Sequence, residues 1–169
     1  ENMLRTVFAL PEDFHVLIID DGSPDGTADI VKTLQTEFTG KLHLLSRSGK
    51  QGLGTAYIAG FKWALERGYD FIFEMDCDFS HNPKDLIHLL AACREGGADL
   101  SVGSRYTKGG KVENWPMKRV LLSYFASVYV NTVLWLGVRD STAGFMCYSQ
   151  RVLKSIDLDS IRFVGYAFQ

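Results

Sequence analysis

Residues 15–27 read His15-Val16-Leu17-Ile18-Ile19-Asp20-Asp21-Gly22-Ser23-Pro24-Asp25-Gly26-Thr27. The β-branched-rich run His15–Asp20 is the pattern of a strand, and the cluster of Gly, Ser, Pro and Asp after it is the pattern of a turn. Thr27–Phe38 then places Ile30, Val31, Leu34 and Phe38 at helical spacing, which predicts a helix packed through those four side chains. Strand, acidic turn, helix is the opening of a right-handed crossover.

The pattern repeats outward from there. Further strand-like runs lie at Lys41–Ser46, Asp70–Met75 and Asp99–Gly103. A second helix is expected over Gly54–Arg67, with Ile58, Phe61, Trp63 and Leu65 as its apolar face. Asn82-Pro83 opens a third, with Asn as N-cap, Pro at the first helical position and Asp85 in the first turn; Gly96-Gly97 closes it. Alternation at this spacing predicts an α/β fold with a mostly parallel sheet flanked by helices. Glu1-Asn2-Met3-Leu4 reads as the first turn of a further helix. With no initiator Met and no capping signal at Phe168-Gln169, the sequence reads as one domain, residues 1–169, of a longer protein.

Past Gly103 the character changes. Ser104–Pro116 is a polar loop containing Gly109-Gly110. Val120–Val138 follows with no charge, close to the length of a membrane span. Ser123, Ser127, Asn131 and Thr132 make it a poor span, so a buried or membrane-surface helix is expected. Lys118-Arg119 at its start suits an anionic lipid surface, or simply solvates the helix start.

Composition narrows the function. At 46% hydrophobic and 22% charged the chain is globular, and its size buries roughly 70% of the unfolded surface. A net charge of −2 gives no reason to expect nucleic acid. Three scattered cysteines form neither a disulfide framework nor a zinc site and suit a reducing compartment.

Ligands of open parallel sheets bind beyond the carboxyl ends of the strands. Two acidic clusters lie there: the run from Asp20 to Thr27, and Asp76-Cys77-Asp78. Alone, Asp-x-Asp is equally a turn or cap; paired with a second cluster at an equivalent strand end, it points to oxygen ligation of Mg²⁺ or Mn²⁺. A dication bridging to a diphosphate also relieves the mutual repulsion of the carboxylates. Gly49-Lys50-Gln51-Gly52-Leu53-Gly54 lets backbone approach phosphate at a helix start. The dinucleotide fingerprint fails because Tyr57 stands at its third glycine, which argues against a dehydrogenase, and there is no P-loop. Arg105 is placed to reach the same mouth or to form a structural ion pair; Arg119 and Ser123, four apart, share a helix face. Of the histidines, His15, His43 and His88 carry no argument, and His81 reads as an N-terminal turn residue. Cys77 reads as a packing residue.

In combination, DDGSPDGT, RSGKQGLGTAYIAGFKWAL, MDCDFSHNP, GSRY, GGKVENWP, KRxxxS and GYAFQ resemble the dolichol-phosphate mannosyltransferases of glycosyltransferase family 2, in order across nearly the whole chain. The resemblance implies a GT-A type nucleotide-diphospho-sugar transferase fold. It implies an inverting transfer of mannose from GDP-mannose to dolichyl or polyprenyl phosphate, at the cytoplasmic face of a membrane, with the enzyme peripheral or tethered by segments outside this chain. By position, Asp21 matches the nucleoside-binding acid, with Ser23 beside it in the donor-binding turn. Asp76 and Asp78 match the acids for metal and diphosphate, and Cys77 the position whose backbone lies against the donor. Ser80 stands where some relatives supply a further metal ligand. Arg105, Arg119 and Ser123 match the groups that receive phosphates, above all that of the lipid acceptor. On this reading Asp76, Asp78 and Arg105 are the catalytic groups.

Two departures are visible: the family's opening strand ending in Pro-x-Tyr-Asn-Glu has no match, and its continuation beyond the closing Phe-Gln is not in this sequence. A family-2 transferase using UDP-glucose is the alternative. A phosphoacceptor receiver domain would need a Lys where Gly103-Ser104-Arg105 stands, and the intact acidic pairs argue against an inactive binding subunit.

Overall fold

The computed structural model describes residues 1–105, 117–135, 140 and 143–162. Gly109-Gly110, the GGKVENWP segment, Tyr106 and the closing GYAFQ lie outside the described residues. The described residues form two compact units, Glu1–Tyr69 with the residues from Ile156 onward, and Asp70–Ser155.

The first unit holds helix α1 (Asn2–Phe8), strand β1 (Val16–Asp20), helix α2 (Thr27–Glu37), strand β2 (Leu42–Ser46) and helix α3 (Leu53–Glu66). β1 and β2 pair in parallel, from Val16 opposite Leu42 to Asp20 opposite Ser46. Because strand side chains alternate, Val16, Ile18, Leu42 and Leu44 face one way and pack with Leu4, Val31 and Leu34 of α1 and α2. α3 lies on the other face, where a Cβ on Gly60 would meet Ile19 Cδ1 at 3.0 Å and Trp63 contacts the His43 ring. Helices on both faces explain why β1 is continuously apolar.

The expected helix faces need adjustment. Val31 and Leu34 are buried, but Ile30 is exposed. It lies about 100° around the helix from Val31, outside the stripe that Val31, Leu34 and Phe38 share. In α3 the buried positions are Gly54, Phe61 and Ala64, spaced seven and three apart, rather than Trp63 and Leu65. Asp25 starts α2 by accepting from the Thr27 backbone N–H at 3.0 Å and its hydroxyl at 2.6 Å.

The second unit holds β3 (Phe71–Glu74), a 3-10 turn (Pro83–Asp85), α4 (Leu86–Arg94), β4 (Leu100–Val102), α5 (Met117–Leu134), β5 (Met146–Ser149) and α6 (Gln150–Ser155). Asn82 caps the turn as expected, its side chain accepting from Lys84 N–H. β5, which the sequence reading missed, runs antiparallel between β3 and β4. Met146 and Cys147 of β5, and Phe145 just before it, are buried, and β5 packs on α4, whose Leu86, Leu89, Leu90 and Cys93 are buried too.

α5 inverts the ordinary amphipathic pattern. Ser127 is buried, whereas Met117, Leu121, Phe125, Val128, Tyr129 and Val133 are exposed. Among its described side chains, α5 is therefore not the buried helix that was one of the two expectations. Among the described residues no helix is long and apolar enough to cross a membrane.

Gly103 follows β4 and donates to the Phe145 carbonyl at 2.8 Å. A Cβ there would stand 2.4 Å from Phe145 Cδ1. Gly103→Ala is expected to lower stability by about 1–3 kcal/mol through overpacking in a filled core. Chemical denaturation checks this; an unchanged midpoint would contradict the packing described.

Candidate active site

Asp20 and Asp21 leave the same strand end but do different work. Asp20 is buried, and its carboxylate accepts from Gly22 N–H at 3.1 Å and from Ser23 N–H at 3.3 Å. It therefore shapes the turn by accepting from two successive backbone N–H groups. Ser23 joins this turn through its backbone and is exposed.

Asp21 turns instead to Arg47, one residue past the last β2 pair. Arg47 Nε and Nη2 donate to the two Asp21 oxygens, each at 2.6 Å, a planar fork on a carboxylate. Arg47 Nη1 donates to Thr55 Oγ1 in the first turn of α3, and that hydroxyl donates to the Gly52 carbonyl. The Arg47 guanidinium holds the Asp21 carboxyl below the usual carboxylate range, so the acid is ionised. The sequence reading named Asp21 and missed Arg47. The signal was present: register places residue 21 beside residue 47 once Asp20 is opposite Ser46.

In the second unit, β3 ends at Glu74, and Asp76 and Asp78 follow in an exposed turn. Asp78 Oδ1 accepts from Ser80 N–H at 2.9 Å. The Ser80 hydroxyl and backbone hold the Asp78 carboxyl below its ordinary pKa. Ser80 is exposed and stands beside Asp78, bonded to its carboxylate. Cys77 is exposed rather than packed, because the strand has ended before it and no pleat turns it inward. Phe79 holds a left-handed φ of 59°, uncommon for a bulky residue, and is exposed.

His81 is more than a turn residue. Its ring stacks on Phe145 at 5.1 Å, and burial lowers its pKa against the pull of Asp76, with Arg105, Asp78 and Asp140 also acting on it. Only the structure reveals this, since Phe145 is distant in sequence.

Arg105 forms the ion pair that was one of its two readings. Nε and Nη2 donate to Asp140 Oδ2 and Oδ1 at 2.8 and 2.7 Å, and the Arg105 backbone N–H adds 3.0 Å to Oδ2. The Asp140 side chain is 0% exposed and that of Arg105 12%. The fork sets the plane of the guanidinium. Arg119 and Ser123 lie on α5 four residues apart, and their side chains lie outside the described residues.

Glu74, at the end of β3, is buried and accepts from Tyr148 O–H at 3.1 Å. Its Oε2 has no partner among the described residues. Burial raises its pKa to about 7, with the Tyr148 bond opposing and Asp76 adding to the rise.

Two exposed carboxylates are what Mg²⁺ or Mn²⁺ asks of a protein when substrate phosphates and water complete the shell. Among the described residues no group of three His, Cys, Asp or Glu could hold a metal without such help. The donor set fits a dication shared with a phosphate ligand.

Acids at the carboxyl ends of strands, with a glycine-rich loop leading into a helix, put this chain in the class of α/β proteins that take ligands at strand ends. More narrowly, residues 1–157 match the family described as Glycosyl transferase family 2, and the chain belongs to that family. Its fold is accordingly of the GT-A type. The chain is similar to a polyprenol monophosphomannose synthase of Mycolicibacterium smegmatis, 47% identical over 165 residues, which covers 98% of this chain and 62% of that protein. An undecaprenyl-phosphate mannosyltransferase of Micrococcus luteus is 50% identical over 161 residues, 95% of this chain and 65% of the relative. The chain spans less than two thirds of either relative.

Two outcomes follow from the buried charges. Asp140→Asn leaves the Arg105 cation without its buried counter-charge and is expected to cost about 3–5 kcal/mol, partly regained in Asp140→Asn/Arg105→Met. A denaturation midpoint unmoved by the single substitution would show the pair to be dispensable. Glu74 keeps its proton to about pH 7 when folded and releases it near the ordinary value of 4.5 when unfolded. The folded state therefore binds more protons in that window, and the stabilisation is intact below it and lost as pH rises through 7. Relative to wild type, Glu74→Gln should gain roughly 3 kcal/mol between pH 4 and pH 8. Parallel stability curves for the two proteins would contradict this.

Proposed function

We propose that this chain is the catalytic domain of an inverting mannosyltransferase that moves mannose from GDP-mannose to a polyprenyl or dolichyl phosphate, using Mg²⁺ or Mn²⁺. The carrying observation is the exposed Asp76 and Asp78 pair just past β3, in a chain about half identical to two enzymes named for polyprenyl-phosphate mannosylation. In this reading Asp21, with Ser23 beside it, holds the donor nucleoside. Asp76 and Asp78 hold the metal, with Ser80 beside them as a further ligand, and the Cys77 backbone lies along the donor. Arg105, Arg119 and Ser123 receive phosphate.

The acceptor needs no general base. A phosphate monoester has its second pKa near ~6, so at neutral pH it is already largely a dianion. The protein's task is to bring two anions together in line, by position and by charge. A metal held by Asp76 and Asp78 would supply Lewis-acid stabilisation of the departing diphosphate. Arginine offers a planar fork matched to phosphate oxygens, and a guanidinium whose plane is already set, as Asp140 sets that of Arg105, loses less freedom on meeting one. Attack by a lipid-phosphate oxygen on the anomeric carbon, with the nucleoside diphosphate leaving from the opposite face, inverts the centre.

Membrane association accompanies a polyprenyl acceptor. The outward apolar residues of α5 and exposed Lys118 at its start support a surface-lying helix, which this reading assigns to the cytoplasmic leaflet.

The test is mannosyl transfer from labelled GDP-mannose to a short polyprenyl phosphate, with and without chelator. Transfer should stop with chelator and fall at least ~100-fold in Asp78→Ala. Turnover unchanged in Asp78→Ala would remove the metal role, and transfer from UDP-glucose but not GDP-mannose would reassign the donor.

A further inference from the structure

We propose that Arg47 is the positioning residue of the nucleoside subsite: it fixes the Asp21 carboxylate as an oriented, ionised acceptor for the hydrogen-bond donors of the donor nucleoside. The inference rests on the assignment of Asp21 to the nucleoside made above, and adds to it a residue that neither touches substrate nor carries chemistry.

The geometry separates this from an ordinary ion pair. Arg47 is the interior partner, with its side chain 9% exposed, while that of Asp21 is 24% exposed. The cation stands behind and the carboxylate faces out. Each Asp21 oxygen accepts one hydrogen bond from Arg47, and a carboxylate has about four lone-pair positions, so acceptor capacity remains after the fork is made. An ionised carboxylate only accepts, so it engages a nucleoside through that ligand's donors, the ribose hydroxyls and ring or exocyclic N–H groups. An acceptor already immobilised loses less entropy when it meets them.

The support behind Arg47 is built from three segments of the first unit. Its backbone N–H donates to the Asp20 carbonyl at 2.8 Å, tying it to β1. Its Nη1 reaches Thr55, which in turn holds Gly52 at the start of α3. Asp20 meanwhile fixes the following turn through Gly22 and Ser23. Arg47 therefore joins the end of β1, the end of β2 and the glycine-rich entry to α3, so the nucleoside acid and the loop expected to approach phosphate share one cation. Lysine cannot replace it, because a point charge has no fork to match both oxygens while also reaching Thr55.

The test measures GDP binding by calorimetry and donor kinetics in the full chain, for wild type, Arg47→Lys, Arg47→Ala, Asp21→Asn and the double variant Arg47→Ala/Asp21→Asn. Arg47→Ala should weaken GDP about tenfold and raise donor KM in parallel, with kcat held within about threefold, and Arg47→Lys should recover only part of the loss. The double variant should bind no worse than about twofold below the weaker single, since both substitutions disable one acceptor. Guanidinium ion at non-denaturing concentration should restore GDP binding to Arg47→Ala and not to the double variant, a rescue that a purely structural staple would not give. Should Arg47→Ala fail to fold, Arg47→Lys and Thr55→Val carry the same reading through a KM rise of about two- to threefold. Wild-type GDP binding with unaltered affinity in the Arg47 variants, or losses that add in the double variant, would overturn the positioning role alone. If wild type binds neither GDP nor UDP, the nucleoside assignment itself falls and this inference with it.

Discussion

Negative charge crowded at strand ends is the constraint around which this chain is organised. Two carboxylates 4 Å apart repel by about 4 kcal/mol at an effective dielectric of 20, enough to undo much of a domain's net stability. Four buried or half-buried acids each have their own remedy. Asp20 is met by backbone N–H groups, Asp21 by the Arg47 fork, Asp140 by the Arg105 fork, and Glu74 by keeping its proton. Asp76 and Asp78 stay at the surface, in a turn that one non-glycine left-handed residue, Phe79, helps to close.

That arrangement ties local structure to chemistry. Parallel pairing of β1 and β2 carries Asp21 and Arg47 to the same level, and the crossover helices bury both faces of the pair so that neither strand shifts. In the second unit the antiparallel insertion of β5 brings Phe145 under His81 and Tyr148 to Glu74. Positions of these charged side chains are thereby fixed by sheet register.

Much of this was readable from residues alone. The four β-branched or aromatic runs became β1 to β4, and Asn82-Pro83 opened its helix as written. β5 escaped because Met146-Cys147-Tyr148-Ser149 contains no β-branched residue and runs directly into α6, leaving no turn to mark it. α5 was located within a few residues but its orientation was not, since an uncharged stretch does not reveal that Ser127 turns inward and Phe125 outward. Among the site residues, the acids were legible because carboxylates after strands are conspicuous. Arg47, Asp140 and His81 were not, because their partners lie far off in sequence and meet them only through register or loop closure.

The central claim is that the Asp76–Asp78 turn binds a dication jointly with a nucleoside diphosphate. Manganese titration followed by electron paramagnetic resonance, with and without GDP, tests it most directly. The account predicts weak Mn²⁺ binding by the protein alone, marked tightening when GDP is present, and loss of that tightening in Asp76→Asn/Asp78→Asn. Manganese affinity indifferent to GDP, or unaltered in the double variant, would contradict it.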